Sequence, residues 1–360
     1  MIRVSAERLR HQLALVFEAW GFDPDHVPTI VELMVESDLR GIDSHGVGKI
    51  KLYERHLREG RLNPRPQPAV VADGPAYARL DGDSGMGHLS SRRAMEIAIG
   101  KAETMGIGAV SVCHSYHIGA TGVYATMASD AGLIGLAMTG ATQRSLVPTF
   151  GRESRLATNP IAFAAPAGRH PPFLLDMATA TVAVGKIDIA RWQGKPLPVG
   201  WAMNEDGMPE TDAKAALAVQ PKRLTPLGGT RELGSHKGYG LAVMVETLCS
   251  ILGGSKVAGH DLVEWEREGP IDVGHFYMAL DPTFFRGTLD AFEAELDALI
   301  DHMHGTTPID PDRPVMVAGE PEWQARAERR RDGIPLTPAL VEEVREVAAA
   351  AGADFILDRP

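Results

Sequence analysis

The stretch IGAVSVCHSYHIGATGVYATMASDAGLIGLAMTG, residues 107–140, decides the fold. Small and branched apolar residues at 107–113 read as a buried strand. A polar, glycine-bearing segment follows at 114–122. Next come a helical GVYATMASDAG run and a second buried strand, LIGLAMTG. Strand, loop, helix and strand in so short a span predict an α/β layer. Upstream, residues 96–106 end a helix. Downstream, AFAAPA and PFLLDMA read as two more strands, and GYGLAVMVETLCSILGG as a helix apolar nearly all round and therefore buried.

The ends of the chain read differently. Leu9, Leu13, Val16, Phe17 and Trp20 form one apolar face of a helix over 5–20, with Gly21 as its stop. Helices follow at 27–39 and 48–58, and the proline-rich stretch 61–74 reads as a linker or extended crossover. The tail returns to helix at 288–302 and 337–351, the latter with Thr337 as cap and Pro338 in the first helical position. The predicted organisation is a discontinuous helical domain from residues 1–74 and 283–360, around an α/β domain at 75–282.

Composition narrows the function classes. The net charge is -11 over 360 residues, with no long basic run, so nucleic acid and anionic membrane are poor partners. The N-terminus lacks the continuous apolar core of a signal peptide, and no stretch approaches a membrane span. The two cysteines, Cys113 and Cys249, lie in apolar runs and read as buried thiols. A cytoplasmic, reducing location is expected.

Four constellations stand out. Asp43-Ser44-His45-Gly46 places an imidazole beside a hydroxyl, with Lys49 one helical turn beyond, and glycines at 41, 46 and 48 that let backbone approach a ligand. A serine cap beside a surface histidine is the plainer reading. His114–Gly122 follows a strand and opens a helix, the place where α/β proteins hold anions. No cysteine or carboxylate set near His114 and His117 suggests a metal. Thr158-Asn159 and Leu175-Asp176-Met177 each end an apolar run. Asp176 reads either as a helix cap or as a carboxylate orienting an imidazole. Lys237-Gly238 sits at a glycine-rich helix start, suited to a diphosphate or carboxylate. No G-x-G-x-x-G, Walker loop or G-x-S-x-G elbow is present: Gly106-Ile107-Gly108 precedes its strand, the wrong order for a dinucleotide loop.

These residues, in order, resemble the type-2 malate/L-lactate dehydrogenase family, which includes sulfolactate dehydrogenases and piperideine-2-carboxylate reductases. The resemblance spans nearly the whole chain: GIDSHGVGKIKLY at 41–53, LDGDSGMG at 80–87, SYHIGATGVYA at 115–125, ATNPIAF, LLDMATATVAVGKI at 174–187, GWAMNEDG at 200–207, SHKGYGLAVMVETL, VGHFYMALDP, and GEPEWQARAERRRDGIPLTP at 319–338. It implies an α/β but non-Rossmann fold, a mixed sheet that binds NAD or NADP, and a homodimer with the site near the subunit interface. It implies catalytic roles for Ser44, His45, His117 and Asp176, and substrate binding by Lys49 and His117. Cofactor contacts are implied at His117, Ile118, Gly119, Ala120, Thr121, Thr158, Asn159, Leu175, Asp176, Met177, Lys237, Gly238, Gly319 and Glu320. Departures from the family pattern include Lys49 where arginine is frequent, His114 where asparagine is usual, and Gly140-Ala141 near the expected nicotinamide side.

The implied reaction moves hydride between nicotinamide and C2 of a small 2-hydroxy or 2-oxo acid. Lys49 holds the carboxylate, and His45 or His117 exchanges the proton. Reduction of a cyclic imino acid on the same fold is the alternative. A serine hydrolase using Ser44, His45 and Asp176 is disfavoured, because adjacent serine and histidine side chains are expected not to bond easily. A ligand-binding protein without catalysis is the remaining class.

Overall fold

The computed structural model describes residues 2–141, 143–258 and 269–358. The chain runs β1 (Ile2–Val4), α1 (Ala6–Ala19), α2 (Val27–Leu39), α3 (Ile50–Arg58), β2 (Ala69–Asp73), β3 (Tyr77–Asp81), α4 (Gly87–Met105), β4 (Ile107–Ser115), α5 (Gly122–Asp130), β5 (Ile134–Thr139), β6 (Ile161–Ala165) and β7 (Phe173–Met177). It continues through α6 (Val184–Gln193), β8 (Ala202–Met203), β9 (Pro209–Glu210), α7 (Ala213–Ala218), α8 (Ser235–Glu246), β10 (Val273–Leu280), α9 (Thr283–Arg286), α10 (Leu289–His304), α11 (Glu320–Asp332), β11 (Ile334–Leu336) and α12 (Pro338–Ala351).

The stretch 107–140 forms β4, α5 and β5, as its pattern predicts. Seven strands make one sheet in the order β2-β3-β4-β10-β5-β6-β7. Only β3 and β4 run parallel; the other neighbours are antiparallel. This is a mixed sheet in an α/β fold. Helices α4 and α5 pack on it, burying Ala94, Ala98, Val123 and Tyr124 against Leu80, Val110 and Tyr277.

The chain ends meet. β1 pairs with β11 in a separate two-stranded ribbon. Leu9, Leu13, Phe17, Met34 and Tyr53 share a core with Ile334, Leu336, Val344 and Val347. Local chemistry sets these boundaries: Ser5 Oγ accepts the Arg8 N–H to start α1, and Thr337 Oγ accepts the Leu340 N–H to start α12, with Pro338 in the first turn.

Three features differ from the pattern reading. Residues 61–74 are not all linker, because β2 forms the edge of the sheet. A further core, with Leu146, Val182, Ile187, Leu197 and Leu224, organises β8, β9, α6 and α7. Its segments are too short to show a period. The apolar run at 238–254 is buried on one side only. A π-helical turn, Thr247–Ile251, continues α8 and packs Cys249 against Phe276 and Met138, while Val243, Met244, Ile251 and Leu252 are exposed. Both cysteines are free and buried, as their setting predicts. Among the described residues, no helix is long and apolar enough to cross a membrane.

Candidate active site

The site starts at the end of α2. Asp38 is almost wholly buried there, and its Oδ2 accepts the Val47 N–H at 2.9 Å. This bond folds the segment 41–46 back over the helix end. A Cβ on Gly46 would sit 2.2 Å from the Asp38 carboxylate, and one on Gly48 would sit 2.7 Å from the Asp43 carbonyl oxygen. These two glycines therefore admit the chain's own groups rather than a ligand, which corrects the sequence reading. Arg329 of α11 donates to the Asp38 carbonyl oxygen at 2.6 Å and pairs with the Asp43 carboxylate. Burial drives the Asp38 carboxyl well above the usual range, and the nearby Asp43 charge adds to the rise.

On this loop Ser44 is exposed and His45 partly buried. Ser44 Oγ lies 2.8 Å from His45 Nδ1. This runs against the expectation that neighbouring serine and histidine side chains do not bond easily. A hydroxyl both donates and accepts, so this contact is compatible with a proton on either ring nitrogen. Burial, with the Lys49 ammonium adding to it, lowers the His45 imidazole to about 4. Burial lowers the Lys49 ammonium as well.

His117 comes from the segment between β4 and α5. Its ring stacks on His45, with centroids 5.6 Å apart and planes 18° from parallel. Tyr53 Oη lies 2.8 Å from His117 Nδ1, and the Gly119 N–H donates to the same nitrogen at 3.2 Å. An amide can only donate. Nδ1 therefore carries the lone pair, the Tyr53 hydroxyl donates to it, and the ring proton sits on Nε2. Burial holds His117 well below the ordinary histidine range, and His45 and Lys49 push in the same direction. Both imidazoles are neutral at pH 7.

Sequence reasoning missed Tyr53. It lies on α3, one helical turn beyond Lys49, and is fully buried. It also missed Asp38 and Glu246. Glu246 Oε1 accepts from Asn159 Nδ2 at 2.7 Å, and its Oε2 accepts from Ser250 Oγ at 2.7 Å. Burial raises this carboxyl. A lone glutamate inside an apolar helix was the available signal.

The other expected residues fall along a strip of strand ends. Asp176, in β7, points its Oδ2 at the first turn of α5, where it accepts the Gly122 N–H at 2.7 Å. A Cβ on Gly122 would lie 2.8 Å from that oxygen. Asp176 is a helix cap in this structure. Burial raises its carboxyl to about 6, against the lowering effect of the Gly122 bond. Ile118, Gly119, Ala120 and Thr121 bridge from His117 to this cap. Leu175 and Met177 flank Asp176 on β7 and pair with Phe163 and Ile161 of β6. The Thr158 carbonyl accepts the Thr179 N–H at 2.8 Å, and the Thr179 carbonyl accepts the Leu227 N–H at 2.8 Å. Gly238 abuts Leu227, which brings the start of α8 and the exposed Lys237 to this strip. Gly319 abuts Leu174, whereas Glu320 is engaged by His304 at 2.8 Å. His114 is outside the cluster: its Nδ1 lies 2.9 Å from Asp81 Oδ2.

Ser44, His45, Lys49, Tyr53 and His117 thus make one cluster: two stacked neutral imidazoles, one of them with its proton on Nε2, two hydroxyls and a lysine. The chain is also similar to known proteins over nearly its whole length. A malate dehydrogenase of Pyrococcus horikoshii is 38% identical over 355 residues, 98% of this chain and 96% of that protein. The solved malate dehydrogenase of Entamoeba histolytica superposes with a TM-score of 0.93 at 30% identity, covering 99% of both chains. The delta1-piperideine-2-carboxylate reductase of Pseudomonas syringae superposes with a TM-score of 0.84 at 27% identity, covering 97% of this chain and 100% of that one. Residues 4–345 match the family model for malate/L-lactate dehydrogenase, and the chain belongs to that family.

Proposed function

We propose that this chain is a nicotinamide-dependent oxidoreductase acting at C2 of a small 2-hydroxy or 2-oxo carboxylic acid. The observation that carries this reading is the stacked His45–His117 pair, with Lys49 beside it. Lys49 pairs with the substrate carboxylate. His117, its proton fixed on Nε2, donates a hydrogen bond to the C2 oxygen. His45 exchanges the proton, and Ser44 adjusts to either tautomer. Such acid–base assistance is worth about 10²–10⁴-fold. Asp176 supports the site through α5 rather than by touching an imidazole.

NAD or NADP, when bound, supplies the hydride donor or acceptor. The residues present suit a dinucleotide. Asn159 is fully buried and its Oδ1 has no hydrogen-bond partner among the described residues, so it offers an acceptor that a carboxamide N–H would satisfy. The exposed Lys237 offers a cation for a phosphate. Turnover of a 2-oxo acid with NADH or NADPH, lost in His45→Ala, tests the reading.

Reduction of a cyclic imino acid is the second reading, favoured by the likeness to the piperideine-2-carboxylate reductase. We further propose a cytoplasmic homodimer. Its support is the exposed apolar group of Leu233 (71% exposed), Ile251 (63%) and Leu252 (57%) around α8. Sedimentation of the purified chain tests it. The proposed division is a helical part, 1–74 and 283–360, and an α/β part, 75–282. The β1–β11 pairing supports it, while β2 argues for an earlier first boundary.

A further inference from the structure

A second cluster of metal-ligating side chains lies away from the histidine pair. Asp301 and His304 occupy one face of the last turn of α10, three residues apart. His170 comes from the loop between β6 and β7. Its Nε2 lies 2.8 Å from Asp301 Oδ1. The His170 and His304 rings meet edge to face, with centroids 5.6 Å apart. One ligand atom from each of His170, Asp301 and His304 lies within 4.8 Å of the others.

The surroundings are built as well. His304 Nε2 lies 2.8 Å from Glu320 Oε1, so Glu320 sets the orientation of that ring. The other Glu320 oxygen accepts the Val317 N–H at 2.9 Å. Arg169 Nη2 holds the second Asp301 oxygen at 2.6 Å, which leaves Oδ1 for another partner. Asp297 accepts the backbone N–H groups of Arg169 and His170 at 2.9 and 3.3 Å and so fixes the loop that carries His170. Three carboxylates therefore face one guanidinium and two imidazoles.

We propose that His170, Asp301 and His304 bind one borderline divalent transition metal of the zinc type. Two imidazoles and a carboxylate suit such an ion, and an orienting carboxylate behind a ligating histidine is its usual support. The ion replaces the proton between His170 Nε2 and Asp301 and takes a ring nitrogen of His304, with water completing its shell. It clips the end of α10 to the β6–β7 loop. Through Glu320 it also steadies the start of α11, the helix whose Arg329 holds Asp43.

The test uses Co²⁺ added to the chelator-treated full-length protein, read by visible absorption and calorimetry. The expected result is visible bands that saturate at one ion per chain and are displaced by Zn²⁺. His170→Gln and His304→Gln each weaken binding by about tenfold or more. Both variants keep their dehydrogenase turnover and their melting temperature in chelator, which excludes misfolding. Wild-type protein without saturable binding overturns the proposal. So does undiminished binding in both variants.

Discussion

Tyr53→Phe removes one oxygen atom and leaves the ring in its core. The lost hydroxyl lies 2.8 Å from His117 Nδ1 and is fully buried. The Gly119 N–H then remains on that nitrogen at 3.2 Å, a longer bond. A buried acceptor deprived of its better donor costs about 1–3 kcal/mol. If the bond fixes His117 with its proton on Nε2, that cost falls on the transition state. At about 1.36 kcal/mol per decade, kcat/KM drops roughly 5- to 150-fold. The assay is steady-state reduction of the preferred 2-oxo acid, with NADH or NADPH binding followed separately by fluorescence. Cofactor affinity should hold within about twofold, and the fall should appear mainly in kcat. A Tyr53→Phe enzyme within about twofold of wild type in kcat/KM refutes the tautomer argument.

Four further outcomes follow. Lys49→Met should lower kcat/KM for the acid by about 10- to 150-fold through a raised KM, the worth of about 1.5–3 kcal/mol for a charged hydrogen bond. Because burial and then Lys49 lower the His45 imidazole to about 4, kcat/KM for hydroxy-acid oxidation should stay flat from about pH 8 down to about pH 5. An ordinary histidine limb near pH 6.5 would contradict this, and Lys49→Met should move the limb upward. Asp176 has its carboxyl raised to about 6 in the folded chain, above the unfolded value of 3.8. Its stabilising contribution is therefore complete below about 3.8 and is lost as the pH rises through about 6. Relative to Asp176→Asn, the wild type should gain up to about 3 kcal/mol in urea unfolding between pH 7 and pH 4, and a pH-independent difference would argue against the burial. Gly46→Ala must place a Cβ against the Asp38 carboxylate, so it should lose about 1–3 kcal/mol and most turnover together. A fully active variant would contradict the packing.

The sequence revealed the sheet because 107–140 changes period within a few residues, from strand to helix and back. It singled out Ser44, His45, Lys49 and His117 as polar residues among glycines at helix starts, and the family resemblance, rather than that pattern, joined them into one site. Tyr53 was hidden by its own context: an aromatic residue on an amphipathic helix reads as packing, and its hydroxyl finds His117 only through the tertiary fold. Asp176 carried two readings, and the cap of α5 is the one that the structure shows. The glycines at 46 and 48 were legible as close approaches, but what approaches is set by Asp38 and Asp43. The outer face of α8 could not be told from core, since apolar periodicity is blind to what covers it.

The most direct test of the central claim is NADH and NADPH oxidation over a panel holding pyruvate, oxaloacetate, another small 2-oxo acid and piperideine-2-carboxylate, run on wild type and His45→Ala. The account predicts turnover of a 2-oxo acid by the wild type and a loss of at least about 10²-fold in the variant. Cofactor binding without oxidation by any acid would contradict it, as would turnover confined to the imine or undiminished in His45→Ala.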